Sequence, residues 1–63
     1  MNYEKLRQLM FERHENKLRV SKATGVSYPT FINWEKGRST PTLATIKTIA
    51  DYFEVPVSYF LDE

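Results

Sequence analysis

The 63-residue sequence has no cysteine, a single histidine and two glycines. Without cysteine, neither a disulfide nor a thiolate zinc site can stabilise the fold. His14 alone cannot build a histidine-rich metal site, and Gly25 and Gly37 lie too far apart to form a phosphate-binding glycine loop. No nucleophile, base and orienting group recur at a catalytic spacing. We therefore expect no metal, no cofactor and no enzymatic activity.

Long hydrophobic runs are also missing, which argues against a membrane span or a signal peptide and makes a cytoplasmic location the expectation. Apolar residues make up 41% and charged residues 27%, a composition typical of globular proteins. The length leaves room for one domain, residues 1–63, and a domain this small has a hydrophobic core near the lower size limit for folding.

Charge is distributed unevenly along the chain, although the net charge is +1. Residues 13–47 carry seven basic and two acidic side chains, whereas residues 48–63 carry four acidic and no basic ones. A basic middle and an acidic end are typical of a protein that meets a polyanion with one face. Chance clustering on a solvated surface remains the alternative.

Apolar residues recur at helical spacing, and this pattern predicts an all-α fold of five short helices. The first is expected from about Tyr3 to His14, with Asn2 as N-cap. Its inward face would contain Tyr3, Leu6, Leu9 and Met10, and Phe11 lies off that face. The fourth is expected after the N-cap Thr42, with an apolar stripe of Leu43, Ile46, Ile49, Ala50 and Phe53. A final turn, from Val57 to about Leu61, would close the core with Val57, Phe60 and Leu61.

The second and third helices are predicted to form a helix-turn-helix at about residues 17–36. The second would run from Lys17 to Thr24, capped by Asn16 and ended by a left-handed Gly25. Its inward side would be Val20, Ser21, Ala23 and Thr24. The third would run from Tyr28 to about Lys36, with Ser27 as N-cap, Pro29 in the first turn and Gly37 at its end.

The third helix has two distinct sides. Phe31 and Trp34 point to the core, whereas Tyr28, Pro29, Ile32, Asn33 and Lys36 fall on the outward side. In a DNA-binding helix-turn-helix, the second helix of the pair enters the major groove. Many helical bundles contain a similar unit with no role in DNA binding.

Three stretches of the sequence occur together at a spacing that is specific to one protein family. They are VSKATGVSYPTFINWEKGRSTP from Val20 to Pro41, TLATIKTIADYFEVP from Thr42 to Pro56, and VSYFL from Val57 to Leu61. On these stretches the chain resembles the phage-repressor-type helix-turn-helix family, the lambda-repressor-like or Cro/cI type. The resemblance implies a compact five-helix DNA-binding domain, a transcriptional regulator that acts as a repressor and works as a homodimer on a palindromic operator of double-stranded DNA.

The resemblance also implies which side chains meet DNA. The positions at which the family reads bases are occupied by Tyr28, Pro29, Thr30, Ile32 and Asn33. The positions at which it contacts phosphates are occupied by Asn16, Lys17, Lys36 and Arg38. Asn33 has the donor and acceptor that match adenine, and Ile32 or the Thr30 methyl group can pack on a thymine methyl group. Arg19 and Lys22 would add to the positive field or lie on a solvated surface.

Three positions depart from the family pattern. Met10 stands where many members have an arginine that pairs with the glutamate matching Glu35, so Glu35 needs another partner or faces water. Ser21 replaces a common alanine. Glu54 replaces a glycine after the fourth helix, which costs about 1 kcal/mol if the backbone is left-handed there.

A second hypothesis is a protein-binding helical module, such as an antitoxin or anti-repressor. It rests on Phe11, Leu18 and Ile32, which are apolar but expected at the surface, and on the acidic C-terminal end. Dimerisation is expected around the last helix, at Tyr59 and its neighbours, because the family commonly pairs there.

Overall fold

The computed structural model describes residues 1–61, so that Asp62 and Glu63, half of the predicted acidic end, lie outside the described residues. Within residues 1–61 all regular structure is helical. The helices are α1 (Tyr3–Glu12), α2 (Lys17–Thr24), α3 (Tyr28–Glu35), α4 (Leu43–Phe53) and α5 (Ser58–Leu61). The prediction of an all-α fold of five helices is confirmed.

Three of the four predicted N-caps bind the backbone of their helix. Asn2 accepts a hydrogen bond from the Glu4 N–H at 3.1 Å, and Asn16 accepts one from the Arg19 N–H at 2.9 Å. Thr42 accepts one from the Thr45 N–H at 3.3 Å. Ser27 occupies the N-cap position of α3, as predicted, but its hydroxyl lies 2.6 Å from the Thr30 hydroxyl and makes no cap hydrogen bond to the backbone.

Left-handed backbone conformations at Gly25 and His14 limit two of the helices. Gly25 is left-handed with φ 82°, as predicted, and it leads directly into the turn of the helix-turn-helix. α1 ends at Glu12 rather than His14, because His14 takes a left-handed conformation with φ 57° that a helix cannot contain. α3 ends at Glu35, one residue before the expected Lys36, which is the C-cap.

The core lies where all five helices meet. α1 packs on α5, α2 packs on α3 and α4, and α4 packs on α5. Phe31 and Trp34 of α3 meet edge to face, with ring centroids 4.9 Å apart. The buried apolar side chains are Leu6, Leu9, Met10, Val20, Phe31, Trp34, Ile46, Ile49, Ala50, Phe53 and Phe60. This core holds the outward side of α3 toward solvent.

Several residues expected in the core lie outside it. Leu43 is 64% exposed, Leu61 is also exposed, and so is Ala23. Tyr3, Ser21, Thr24 and Val57 are half-buried at the edge. Leu43 and Leu61 stand at the end of a helix, where the apolar stripe continues but no neighbouring element covers it. The periodicity therefore predicted which side of each helix faces the core, but it overestimated how many residues on that side are buried.

Candidate nucleic-acid interface

The turn between α2 and α3 is fixed by hydrogen bonds of one side chain. The Thr24 hydroxyl donates to the Val20 carbonyl oxygen at 2.7 Å and accepts from the Val26 N–H at 3.3 Å. Val20 and Phe31, one from each helix, are completely buried. The turn and the core together hold α3 at a defined angle, so its N-terminal residues are presented on a rigid support.

The five residues predicted to read bases lie along the outward side of α3. Tyr28 and Pro29 are exposed, whereas Thr30, Ile32 and Asn33 are half-buried. The Thr30 hydroxyl shares a hydrogen bond with the Ser27 hydroxyl, whereas its methyl group can make an apolar contact. Within residues 1–61 the Asn33 side-chain amide makes no hydrogen bond, so its donor and acceptor are both available to a ligand.

The side chains predicted to contact phosphates differ in whether they already bind another group of the protein. Lys36 and Arg38 are exposed at the end of α3 and in the following loop, and neither forms an ion pair in the described part of the chain. Asn16 uses its carbonyl oxygen to cap α2, which leaves its amide NH₂ as a donor. These three side chains can donate to phosphate without first breaking a contact to a carboxylate.

Lys17 differs from them because it forms an ion pair with Glu35. Its ammonium nitrogen lies 3.4 and 3.5 Å from the two carboxylate oxygens. Of the two expectations for Glu35, another partner or exposure to water, the structure shows the first, because Lys17 pairs with it in place of an arginine at position 10. Sequence reasoning missed this pair because the two residues are 18 positions apart and no local pattern connects them.

A surface cleft of about 410 Å³ connects the starts of α2 and α3, and Asn16, Lys17, Leu18 and Tyr28 line it. Two predicted phosphate contacts and one predicted base contact therefore share one surface. A second cleft, of about 430 Å³, runs along the outer face of α1, where Phe11 is 83% exposed beside Glu4, Arg7, Gln8 and Glu12.

Of the other basic side chains in the middle segment, Arg19 and Lys47 form ion pairs with acidic side chains. The Arg19 Nε lies 3.4 Å from Glu15 Oε1, close enough for an ion pair but not aligned for a hydrogen bond. The Tyr52 hydroxyl donates to Glu15 Oε2 at 2.6 Å, and this bond, more than burial or the Glu15 charge, raises the pKa of Tyr52 above its ordinary 10.0. Lys47 pairs with Asp51 at 3.4 Å. Lys22 is exposed and unpaired within residues 1–61.

The described residues contain no group of three or more His, Asp or Glu side chains placed to hold a metal ion. None of the helices in residues 1–61 has the length and apolarity needed to cross a membrane.

Comparison with known proteins places this chain among DNA-binding domains. Residues 5–61 match the family model of the Cro/C1-type HTH DNA-binding domain. One similar protein is the cryptic phage CTXphi transcriptional repressor RstR of Vibrio cholerae, 32% identical over 59 residues that cover 94% of this chain and 53% of that protein. Another is an uncharacterized HTH-type transcriptional regulator of Coxiella burnetii (strain RSA 493 / Nine Mile phase I), 39% identical over 59 residues that cover 92% of this chain and 27% of that protein.

The chain therefore spans about half the length of the first of these relatives and about a quarter of the second. No solved structure shows significant similarity to it.

Proposed function

The chain belongs to the Cro/C1-type helix-turn-helix DNA-binding family, and from that premise we propose that it binds double-stranded DNA sequence-specifically and regulates transcription as a repressor. The observation that carries base reading is the Asn33 amide, which lies on the outward side of α3 with no hydrogen bond inside residues 1–61. The likeness to a phage transcriptional repressor supports repression. Such a protein works in the compartment that holds the DNA, in keeping with the expected cytoplasmic location.

In this proposal α3 enters the major groove with its N-terminal turn first. Asn33 pairs with the N6 and N7 positions of an adenine, and Ile32 or the Thr30 methyl group packs on a thymine methyl group. Tyr28 donates to a phosphate or lies against a base edge, and Pro29 contacts the groove beside it. Asn16, Lys17, Lys36 and Arg38 bind phosphates on either side of the groove and set the register of α3.

The test begins with selection of bound duplexes from a random pool, followed by mobility shifts on the selected operator. We expect Asn33→Ala to weaken operator binding by about 1–3 kcal/mol and to leave binding to a scrambled duplex unchanged. Gln8→Ala, which removes an exposed amide on the outer face of α1, is the matched control and should behave as wild type. Equal binding of wild type and Asn33→Ala to every duplex would contradict base reading.

We also propose that the protein occupies a palindromic operator as a homodimer, since symmetric half-sites require a symmetric pair. The predicted surface lies around α5. Tyr59 is half-buried there, packs against the core and has the Lys5 ammonium 5.4 Å from its ring centroid. Analytical ultracentrifugation should find two chains per operator, and one chain per operator would overturn the proposal.

One observation favours the alternative of a protein-binding module. The exposed Phe11 lines the cleft on α1, away from the proposed DNA surface. A protein of that kind would show no salt-sensitive affinity for DNA, so the salt dependence of the mobility shift separates the two functions.

A further inference from the structure

Lys17 stands at an unfavourable place for a positive charge. It is the first residue of α2, at the positive end of the helix dipole, and the first turn of α2 contains no acidic residue to offset it. An anion close to its ammonium group is therefore favourable. DNA phosphate is one such anion, and within the protein the nearby anion is Glu35.

The ion pair between Glu35 and Lys17 is long and partly exposed to solvent. Both N–O distances, 3.4 and 3.5 Å, exceed the ~2.7–2.9 Å of a tight charge-assisted hydrogen bond. The Lys17 side chain is 26% exposed and that of Glu35 37%, so water reaches both charges and screens them. An ion pair of this kind can exchange its carboxylate for another anion.

The charge of Glu35 acts on two polar side chains besides Lys17. Burial, and after it the charge of Glu35, raises the pKa of Tyr3, whose buried hydroxyl makes no hydrogen bond within residues 1–61. The hydrogen bond and charge of Glu4 raise the pKa of Arg7, and the more distant charge of Glu35 adds to the effect. The charge of Glu35 thus influences the Tyr3 hydroxyl and the Arg7 guanidinium as well as Lys17, although Arg7 is already paired with Glu4.

The side chain of Lys17 also reaches the proposed DNA surface, since it lines the cleft shared with Asn16 and Tyr28. We propose that Glu35 competes with a DNA phosphate for the Lys17 ammonium and thereby lowers the affinity for every duplex. The inference rests on the proposed function and adds to it a residue that limits sequence-independent binding. Glu35 is a positioning residue here, because it acts through Lys17 and not through contact with DNA.

A double-mutant cycle tests the competition. Wild type, Glu35→Gln, Lys17→Gln and the double variant are compared for affinity to operator and to scrambled duplex over a series of salt concentrations. We expect Glu35→Gln to tighten binding to both duplexes about two- to fivefold, the range of an exposed ion pair. Lys17→Gln should weaken binding and reduce the log–log salt slope by ~0.9. In the Lys17→Gln background, Glu35→Gln should have little further effect.

Removal of any negative charge also strengthens attraction to DNA over a distance. Glu12→Gln, on the last turn of α1, makes the same charge change at a carboxylate that is not paired with Lys17 and is the control. Its effect should be smaller and should persist in the Lys17→Gln background. If Glu35→Gln tightens binding equally with and without Lys17, the competition is contradicted while the proposed function stands. If wild type shows no salt-sensitive binding to any duplex, the proposed function and the inference both fail.

Circular dichroism verifies that each variant is folded. A measurement on the wild-type protein tests the inference without the Glu35→Gln variant. The ¹³C resonance of the Glu35 carboxyl group should move, on addition of duplex, toward its position in free Lys17→Gln. A Glu35 resonance that is unchanged by saturating duplex would overturn the inference.

Discussion

Glu54 follows α4 in a left-handed conformation, with φ 58° and ψ 44°. A side chain with a Cβ is disfavoured there, whereas glycine adopts the conformation without a steric penalty. We expect Glu54→Gly to raise the free energy of unfolding by about 1 kcal/mol, which corresponds to a rise of roughly 4–8 °C in Tm for a domain of this size. Thermal unfolding followed by circular dichroism measures it.

Glu54→Ala is the control, because it removes the same carboxylate but keeps the Cβ. Its Tm should stay close to that of wild type. Equal stabilisation by alanine and glycine would mean that the Glu54 charge, and not the backbone conformation, is unfavourable.

Single residues were predicted well when their interaction is local. The caps Asn2, Asn16 and Thr42 bind N–H groups two or three residues ahead, so the sequence contains both partners. Ser27 differs because Thr30 offers a competing hydroxyl within the same turn. The Lys17–Glu35 pair could not be predicted, since it depends on how α2 and α3 cross.

At the scale of whole elements, helical periodicity identified all five helices because each buries one face against the same core. It overestimated burial at the helix ends, as Leu43 and Leu61 show. A domain this small has much surface for its volume, so an apolar stripe extends beyond the neighbouring helices. The outward side of α3 was predicted by elimination, because Phe31 and Trp34 occupy the core side.

The loop between α1 and α2 is attached to the C-terminal end of α4 by two long-range hydrogen bonds. The Arg13 guanidinium donates to the Phe53 carbonyl oxygen at 3.1 Å, and Tyr52 donates to Glu15 at 2.6 Å. We expect Tyr52→Phe to lower the Tm at neutral pH, because Glu15 then loses a hydrogen bond at a carboxylate that is mostly buried.

The same bond makes stability depend on alkaline pH. The pKa of Tyr52 is raised in the folded protein, so the contribution of the Tyr52 hydroxyl is fully present below its ordinary pKa of 10.0 and is lost as the pH rises through the folded-state value. Tyr52→Phe should therefore flatten, in part, the fall in Tm above pH 10. Burial raises the pKa of Tyr3 as well, which leaves some of the fall in place.

Tyr28→Phe is the matched control for Tyr52→Phe, since the Tyr28 hydroxyl makes no hydrogen bond within residues 1–61. Its Tm and its alkaline profile should follow those of wild type. A Tyr52→Phe protein with the wild-type Tm would show that the loop is held by Arg13 and apolar packing alone.

Across the whole molecule, the uneven charge distribution was visible in the sequence, but the availability of each charge was not. Arg19 and Lys47 belong to the basic segment and are paired with Glu15 and Asp51. Lys36 and Arg38 form no ion pair in the described residues and lie at the end of the proposed reading helix. The structure therefore separates basic residues of equal formal charge by whether a carboxylate already neutralises them.

This separation predicts unequal effects on the salt dependence of DNA binding. A phosphate contact releases counterions, and each one steepens the log–log slope by ~0.9. We expect Lys36→Gln combined with Arg38→Gln to reduce the slope by about 1.8 on operator and scrambled duplex alike, because phosphates carry no sequence information. Arg19→Gln combined with Lys47→Gln removes the same formal charge from side chains that Glu15 and Asp51 already neutralise, and it should leave the slope nearly unchanged. Equal reductions for the two pairs, measured by fluorescence anisotropy, would show that affinity follows net charge rather than the position of α3 on the duplex.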